Sequence, residues 1–353
     1  MSLTSWKEKL FQRYLIWQCR PARLDKHLKE KLPGSVQPGP VDRKKIRVAA
    51  VQMELKLFKS PLGYSDEIHR RVIEAKNAGA RLVIFPEYNS LQLLGMLPGI
   101  EQIEESYGGK VGDQGENKEE DQPGLADIFK FISPAVLPLV HTVYSKLASA
   151  YGLYIMAGSY PLVDNGKLFN RAFLYGPGGA LVGSQDKVHL LPVEEKWPIE
   201  RGSSFSFFDT ELGRFALPVC MDATYYETFR LLELAGVEAV LLPIGDQQEY
   251  NFWLALRGIW PRVQESPLYG VKSALVGTLA GHTFTGRAGI FAPLELTAKR
   301  DGVLAEVEPF DREAMAVADL DLEALKHLRC SHPWRDNNLE LYRRYFPEIY
   351  RNN

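Results

Sequence analysis

The sequence predicts an α/β fold with many strands, and three observations carry that expectation. A β-branched run, Ile46-Arg47-Val48-Ala49-Ala50-Val51-Gln52, is followed by a helical stretch at about 64–78 and a second apolar run, Arg81 to Phe85. Strand, helix and strand at this spacing suggest layered α/β architecture. From Tyr154 onward, short apolar runs recur at close intervals, the pattern of a strand-rich half. Of the 353 residues, 45% are hydrophobic, ample material for a large buried core.

Taken in order, residues 5–18 place Trp6, Leu10, Tyr14 and Trp17 at helical spacing behind a capping Ser5. Pro33 to Pro40 is rich in Pro and Gly and reads as a linker. Residues 1–44 are therefore expected to form an N-terminal helical extension and linker outside the main fold, which occupies residues 45–353. The helix at 64–78 stops at Asn77-Ala78-Gly79, and the strand after it runs into Pro86-Glu87. Residues 101–124 are acidic, Gly-rich and poor in apolar residues, and are expected to be a mobile surface insertion. Residues 125–149 turn apolar but contain Pro134 and Pro138, and the first part, Ile128-Phe129-Lys130-Phe131-Ile132, reads as a normal covering helix, with a lid or a partner-facing helix as the alternatives. Strands are expected at 154–159, 168–175, 181–187, 205–208 and 215–219, a helix at 225–236 and a strand at 239–242. A helical segment at 252–266, interrupted by Pro261, precedes strands near 270–278, 287–292, 302–307 and 314–319.

The net charge of -2 argues against a nucleic-acid surface, which needs clustered Lys and Arg to neutralise phosphates. Three cysteines, Cys19, Cys220 and Cys330, are a poor disulfide framework, so a reducing cytoplasm is expected. The charged N-terminal stretch lacks the uninterrupted apolar core of a signal peptide, and no run reaches the roughly 20 apolar residues of a membrane span.

Three segments place a reactive side chain at the end of an expected strand, where the sheet fixes the base of the residue and the loop exposes its tip. They are Ile84-Phe85-Pro86-Glu87-Tyr88-Asn89, Asp186-Lys187-Val188-His189-Leu190-Leu191-Pro192-Val193-Glu194-Glu195, and Leu217-Pro218-Val219-Cys220-Met221-Asp222. Singly, Glu87 reads as an exposed carboxylate, Lys187 as a solvated strand end and Cys220 as a small buried hydrophobe. His189 has no second His or Cys at metal-ligand spacing and reads as a hydrogen-bonder. A strand-to-helix turn at Cys220 would bring backbone N–H groups to the sulfur, favouring a thiolate and an oxyanion. Cys19 and Cys330 read as structural.

Together, in the order Glu, Lys, Cys, these segments resemble the nitrilase, or carbon–nitrogen hydrolase, superfamily. Val51-Gln52, Phe229-Arg230, Gly236, the stretch from Phe284-Thr285-Gly286 to Pro293, and the tail Glu340-Leu341-Tyr342-Arg343-Arg344 add to the match, which covers residue 46 to about 350. The resemblance implies a four-layer α-β-β-α sandwich, with Cys220 as nucleophile, Glu87 as general base, Lys187 as oxyanion partner and Glu195 in support. It implies no metal or organic cofactor. It implies homodimers or higher homo-oligomers joined through outer helices and the C-terminal tail. Cys220-Met221-Asp222 in place of Cys-Trp-Glu looks more like the amidase and carbamoylase branches than the nitrilases proper. The expected activity is hydrolysis of a small amide or carbamoyl-type substrate through a thioester. N-acyl transfer, in which the apolar 125–145 segment could serve a long acyl chain, nitrile hydrolysis and a non-catalytic scaffold are the alternatives. Tyr88, Asn89, Met221 and Tyr225, which flank the reactive residues, are candidates for substrate contact. For the basic, Trp-bearing N-terminal helix, two readings stand, an oligomer interface or a weak contact with a membrane surface.

Overall fold

A computed structural model describes residues 3–100, 125–255, 257–279, 281–331 and 338–351. The acidic insertion at 101–124 lies outside the described residues. The chain runs α1 (Leu3–Gln18), α2 (Pro21–Lys29), β1 (Ile46–Glu54), α3 (Pro61–Asn77), β2 (Leu82–Ile84), a 3₁₀ helix (Asn89–Met96), α4 (Leu125–Tyr151), β3 (Tyr154–Asp164), β4 (Lys167–Tyr175) and β5 (Leu181–Asp186). It continues with α5 (Pro192–Lys196), β6 (Phe208–Thr210), β7 (Gly213–Ala216), a 3₁₀ turn (Cys220–Thr224), α6 (Tyr226–Leu234), β8 (Ala239–Ile244), α7 (Phe252–Ala255) and α8 (Ile259–Glu265). The remainder is β9 (Tyr269–Leu279), β10 (His282–Phe284), β11 (Gly289–Phe291), β12 (Val303–Glu306), β13 (Ala314–Leu320), α9 (Leu322–Ser331) and α10 (Leu339–Ile349).

The strands are ordered β5-β4-β3-β2-β1-β9-β8-β7-β6, with β13 antiparallel to β1. β1 is the hinge of this array. Val48 to Ala50 pair with β2, and Gln52 to Glu54 pair with β9, so one strand serves both halves. Because strand side chains alternate, each half offers two apolar faces. Ile46, Val48 and Ala50 of β1 meet Ala239 and Leu241 of β8 in an inner core between the halves. Ala49, Val51 and Met53 face α3 and α4 in one outer core, and Val240 and Leu242 face α6 and α8 in another. Three cores between four layers make the α-β-β-α sandwich that the resemblance implies.

Local chemistry sets the outer helices. Ser60 caps α3 by accepting from Gly63 N at 3.2 Å, Pro61 occupies its first turn, and Gly79 follows its end at φ 82°. Tyr64, Ile68, Val72 and Ala75 supply its buried face. α4 runs unbroken through Pro134 and Pro138 for 27 residues, with Phe129, Val136, Leu139, Val143 and Leu147 fully buried. It is a covering helix. By length and composition α4 meets the requirement for crossing a membrane, contrary to the sequence reading, although half of its apolar window is packed inside the fold.

The N-terminal extension is helical as expected but is docked onto the main fold. Leu15, Cys19, Leu24 and Leu28 are buried in the same outer core as α3 and α4. Gln12 Nε2 donates to Phe131 O at 2.8 Å, and Lys31 Nζ pairs with Asp66 at 2.6 Å. Burial pushes the Cys19 thiol up to about 12, the behaviour of a packed side chain. β6 begins three residues later than expected, and the ladder of β7 ends at Ala216, which leaves Leu217 to Val219 to carry the chain off the sheet toward Cys220.

Candidate active site

Glu87 follows β2 by three residues and is fully buried. Its approach is held by Phe85 N donating to Met156 O at 2.9 Å and by Ser273 Oγ donating to Phe85 O at 2.8 Å. β3 passes so close that a Cβ on Gly158 would lie 2.0 Å from Pro86 O, and Gly158 has φ 82°. Tyr88 turns the chain at φ 54°, in the left-handed region that costs a non-glycine residue energy. The Glu87 carboxylate accepts from Lys187 Nζ at 2.9 Å and Asn170 Nδ2 at 2.8 Å through Oε1, and from Gly245 N at 2.9 Å through Oε2.

Lys187 stands one residue past β5 and is completely buried. Its N–H donates to Asn170 O at 2.9 Å, and its ammonium bridges Glu87 Oε1 at 2.9 Å and Glu194 Oε1 at 2.8 Å. The second acidic partner is thus Glu194, and the assignment to Glu195 is corrected. Glu195 is exposed and pairs with Arg201. α5 starts at Pro192, and adjacent helical residues diverge by about 100°, so only one of the two can face inward. Glu194 also accepts from Tyr88 OH, and from Leu191 N at 2.8 Å.

Cys220 opens the 3₁₀ turn at φ 45°, and its thiol lies near enough to the Glu87 carboxyl for each group to shift the other's pKa. Asp222 holds this turn. It is fully buried, accepts from Val219 N at 2.8 Å and from His189 N at 2.7 Å, and contacts His189 Nδ1 at 2.8 Å. One carboxylate therefore ties the segment after Lys187 to the segment bearing Cys220. His189 is a hydrogen-bonder, as its lone position suggested.

Burial, opposed by Lys187 and reinforced by Glu194, holds the Glu87 carboxyl above the usual carboxylate range. Burial also pushes the Cys220 thiol well up, and the Glu87 charge adds to this against the pull of Lys187. Burial works against the Lys187 ammonium, yet Glu87, Cys220 and Glu194 together raise it above an ordinary lysine. Cys220 and Met221 line a cavity of about 560 Å³, walled also by Leu191, Ile244, Asp246 and Lys272.

The sequence profile described as carbon–nitrogen hydrolase matches residues 47–293. The chain belongs to the carbon–nitrogen hydrolase family. Within the family it is 26% identical over 291 residues to a probable hydrolase of Bacillus subtilis, YhcX, covering 80% of this chain and 51% of that one. The chain thus spans about half the length of that relative. It is 27% identical to a nitrilase of Pyrococcus abyssi, covering 80% of this chain and 93% of that one. It is 24% identical to an omega-amidase of Danio rerio, covering 82% of this chain and 93% of that one. Its fold matches an amidase of the nitrilase superfamily from Nesterenkonia, with TM-score 0.60 at 20% identity, over 86% of this chain and 99% of that one.

In this carbon–nitrogen hydrolase the expected substrate-contact residues divide. Met221 lines the cavity. Tyr88 is buried behind the site and serves Glu194. Asn89 is corrected to a core role. It is fully buried and donates to Tyr144 OH at 2.8 Å and Tyr160 OH at 3.2 Å. Tyr225 lies outside the cavity wall, stacked on His189 at 4.1 Å between centroids. Two groups at the centre went unnoticed in the sequence. Glu194 was hidden beside Glu195, and Asn170 sits mid-strand in β4 with no local signal.

Proposed function

We propose that the protein hydrolyses a non-peptide C–N bond of an amide-type substrate through a thioester on Cys220. The observation that carries this reading is Cys220 at the wall of a substrate-sized cavity, beside the buried Glu87, which holds Lys187 Nζ at 2.9 Å. In the proposed route Cys220 Sγ attacks the amide carbonyl carbon while its proton passes to Glu87. The oxyanion is stabilised by the Lys187 ammonium and by the Met221 backbone N–H at the head of the 3₁₀ turn. Collapse of this intermediate breaks the C–N bond as Glu87 returns the proton to the departing nitrogen. Glu87 then takes a proton from water, the resulting hydroxide attacks the thioester, and acid and thiol are released. Glu194 holds Lys187 from the opposite side and keeps its charge aimed at the reaction centre.

A hydrolytic outcome is favoured over transfer of a long acyl chain because α4, the apolar segment available for such a chain, is packed into the outer core. Ammonia release from a panel of amides, carbamoyl amino acids and nitriles tests the activity. Mass spectrometry of the denaturant-quenched enzyme tests the thioester. Cys220→Ala is expected to lose turnover by on the order of 10⁴-fold or more with an unchanged circular dichroism spectrum. Ammonia release by purified Cys220→Ala protein at the wild-type rate would sink the nucleophile assignment. Homo-oligomer formation belongs to the same proposal, because Leu341, Tyr342 and Tyr345 of α10 are exposed apolar side chains. A monomer mass by light scattering at micromolar concentration speaks against it.

A further inference from the structure

Lys272 has a position in the cavity that the triad does not explain. It belongs to β9, paired with Leu242 of β8 and Gly289 of β11, on the face that packs the outer core with α8. Its neighbours there are apolar, and its ammonium lies 5.2 Å above the centre of the Phe291 ring. The residue is only 7% exposed, and that exposure opens on the cavity shared with Cys220. Among the described residues its ammonium makes no ion pair or hydrogen bond, and the contact it has is the Phe291 ring. A lysine buried without a counter-ion is costly, and burial accordingly draws its pKa below the ordinary value despite Glu306 and Asp246 nearby. The other charges along the cavity are largely answered. Arg287 lies 3.8 Å from Glu306 and over the Tyr250 ring, although its buried Nε has no hydrogen-bond partner. Asp246 accepts from Gln248 Nε2 at 2.7 Å and lies near both Lys272 and Arg257, and Glu249 also lines the cavity. Lys272 is thus a buried cation in the cavity wall, held on a central strand with carboxylates nearby but no ion pair among the described residues.

We infer that Lys272 is a specificity-determining residue, which pairs with a carboxylate carried by the substrate away from the scissile amide, so that the preferred substrates are small anionic amides. This deepens the proposed amidase reading and rests on it. A carboxylate monoanion suits one ammonium that already has Asp246 nearby, whereas a phosphate dianion would bring more negative charge toward that carboxylate. The apolar floor under Lys272, formed with Leu242 and Phe291, suits the methylene groups between the two ends of such a substrate.

The test compares kcat/KM for the monoamides of malonic through adipic acid with kcat/KM for their neutral methyl esters, in wild type, Lys272→Met and Lys272→Arg. Wild type is expected to prefer the best acid over its ester by about 10- to 100-fold, the range for a hydrogen bond to a charged group. Lys272→Met, which keeps the length and fits the apolar wall, should erase that ratio, and Lys272→Arg should retain most of it. Equal loss on acid and ester in Lys272→Met, or an intact ratio, overturns the inference. A second readout needs no turnover. Succinate and glutarate should slow alkylation of Cys220 by iodoacetamide in wild type and fail to do so in Lys272→Met. Protection without hydrolysis of any amide would keep the anion site and discard the amidase reading. Absence of protection in wild type overturns the anion site, and stronger protection by inorganic phosphate than by succinate overturns its assignment to a carboxylate.

Discussion

At the scale of single residues the chemistry depends on which atoms share a proton. Glu87 Oε1 receives both Lys187 Nζ and Asn170 Nδ2, and Cys220 lies close enough to the same group to shift its pKa. Glu194 then becomes the counterweight that keeps Lys187 in line. Glu194→Gln should lower kcat by about 30- to 1000-fold, since loosening a buried charge pair costs roughly 2–4 kcal/mol. Glu195→Gln, on an exposed surface pair, should stay within about twofold of wild type. Steady-state kinetics on both variants checks the assignment, and the reverse pattern would restore Glu195. The pH profile belongs to this scale as well. Glu87 must be ionised to accept the thiol proton, and its pKa is held above the ordinary carboxylate value. The acid limb of kcat/KM should therefore fall at a pH above the roughly 4.3 of a free glutamate. Lys187, held above an ordinary lysine, should contribute no loss near neutrality. An acid limb at or below the free-glutamate value would contradict the proposed base.

At the scale of elements, each reactive group is placed by a tight backbone feature next to a strand end. β2 ends beneath β3 at the one point where a glycine lets the backbones approach, Gly158 against Pro86 O. Gly158→Ala should cost about 3 kcal/mol or more of stability, from a strained φ and a backbone clash, and should lower activity by displacing Glu87. Denaturant titration with a kinetic assay checks this, and an unchanged midpoint would refute it. The strand ends themselves were legible. Phe85 and Val219 close apolar runs, and Lys187 closes the strand expected at 181–187. The choice between Glu194 and Glu195 was not, because a five-residue helix has no periodicity to exploit and either face can turn inward. Asn89 was misread for a related reason. Its neighbour Glu87 is functional, but the chain reverses at Tyr88 and sends Asn89 into the Tyr144 and Tyr160 cluster.

At the scale of the whole molecule, three cores hold four layers, and the N-terminal helices complete one of the outer cores. Removing residues 1–44 would uncover the sites of Leu15, Cys19, Leu24 and Leu28 on the α4 side. With about 1.5–3 kcal/mol for each large apolar side chain, the truncated protein is expected to be less stable by about 5 kcal/mol or more and to bind ANS. Thermal denaturation of the two forms decides it, and an equal Tm would show that the extension is dispensable. The sequence reading had set this segment apart because a Pro- and Gly-rich stretch separates it from β1. A linker in sequence says nothing about where its far end docks.

By itself the sequence determined the α/β class and most strand and helix positions, and it singled out Glu87, Lys187 and Cys220, which the structure brings close together. Hydrophobic periodicity and strand-end placement are local properties, and the order of three motifs survives any arrangement in space. Only the tertiary structure decided that β1 serves both halves of the sheet, that Glu194 and Asn170 complete the site, and that Lys272 opens on the cavity of Cys220. Those are contacts between residues far apart along the chain, and their geometry follows from how layers stack, which no local window of sequence encodes.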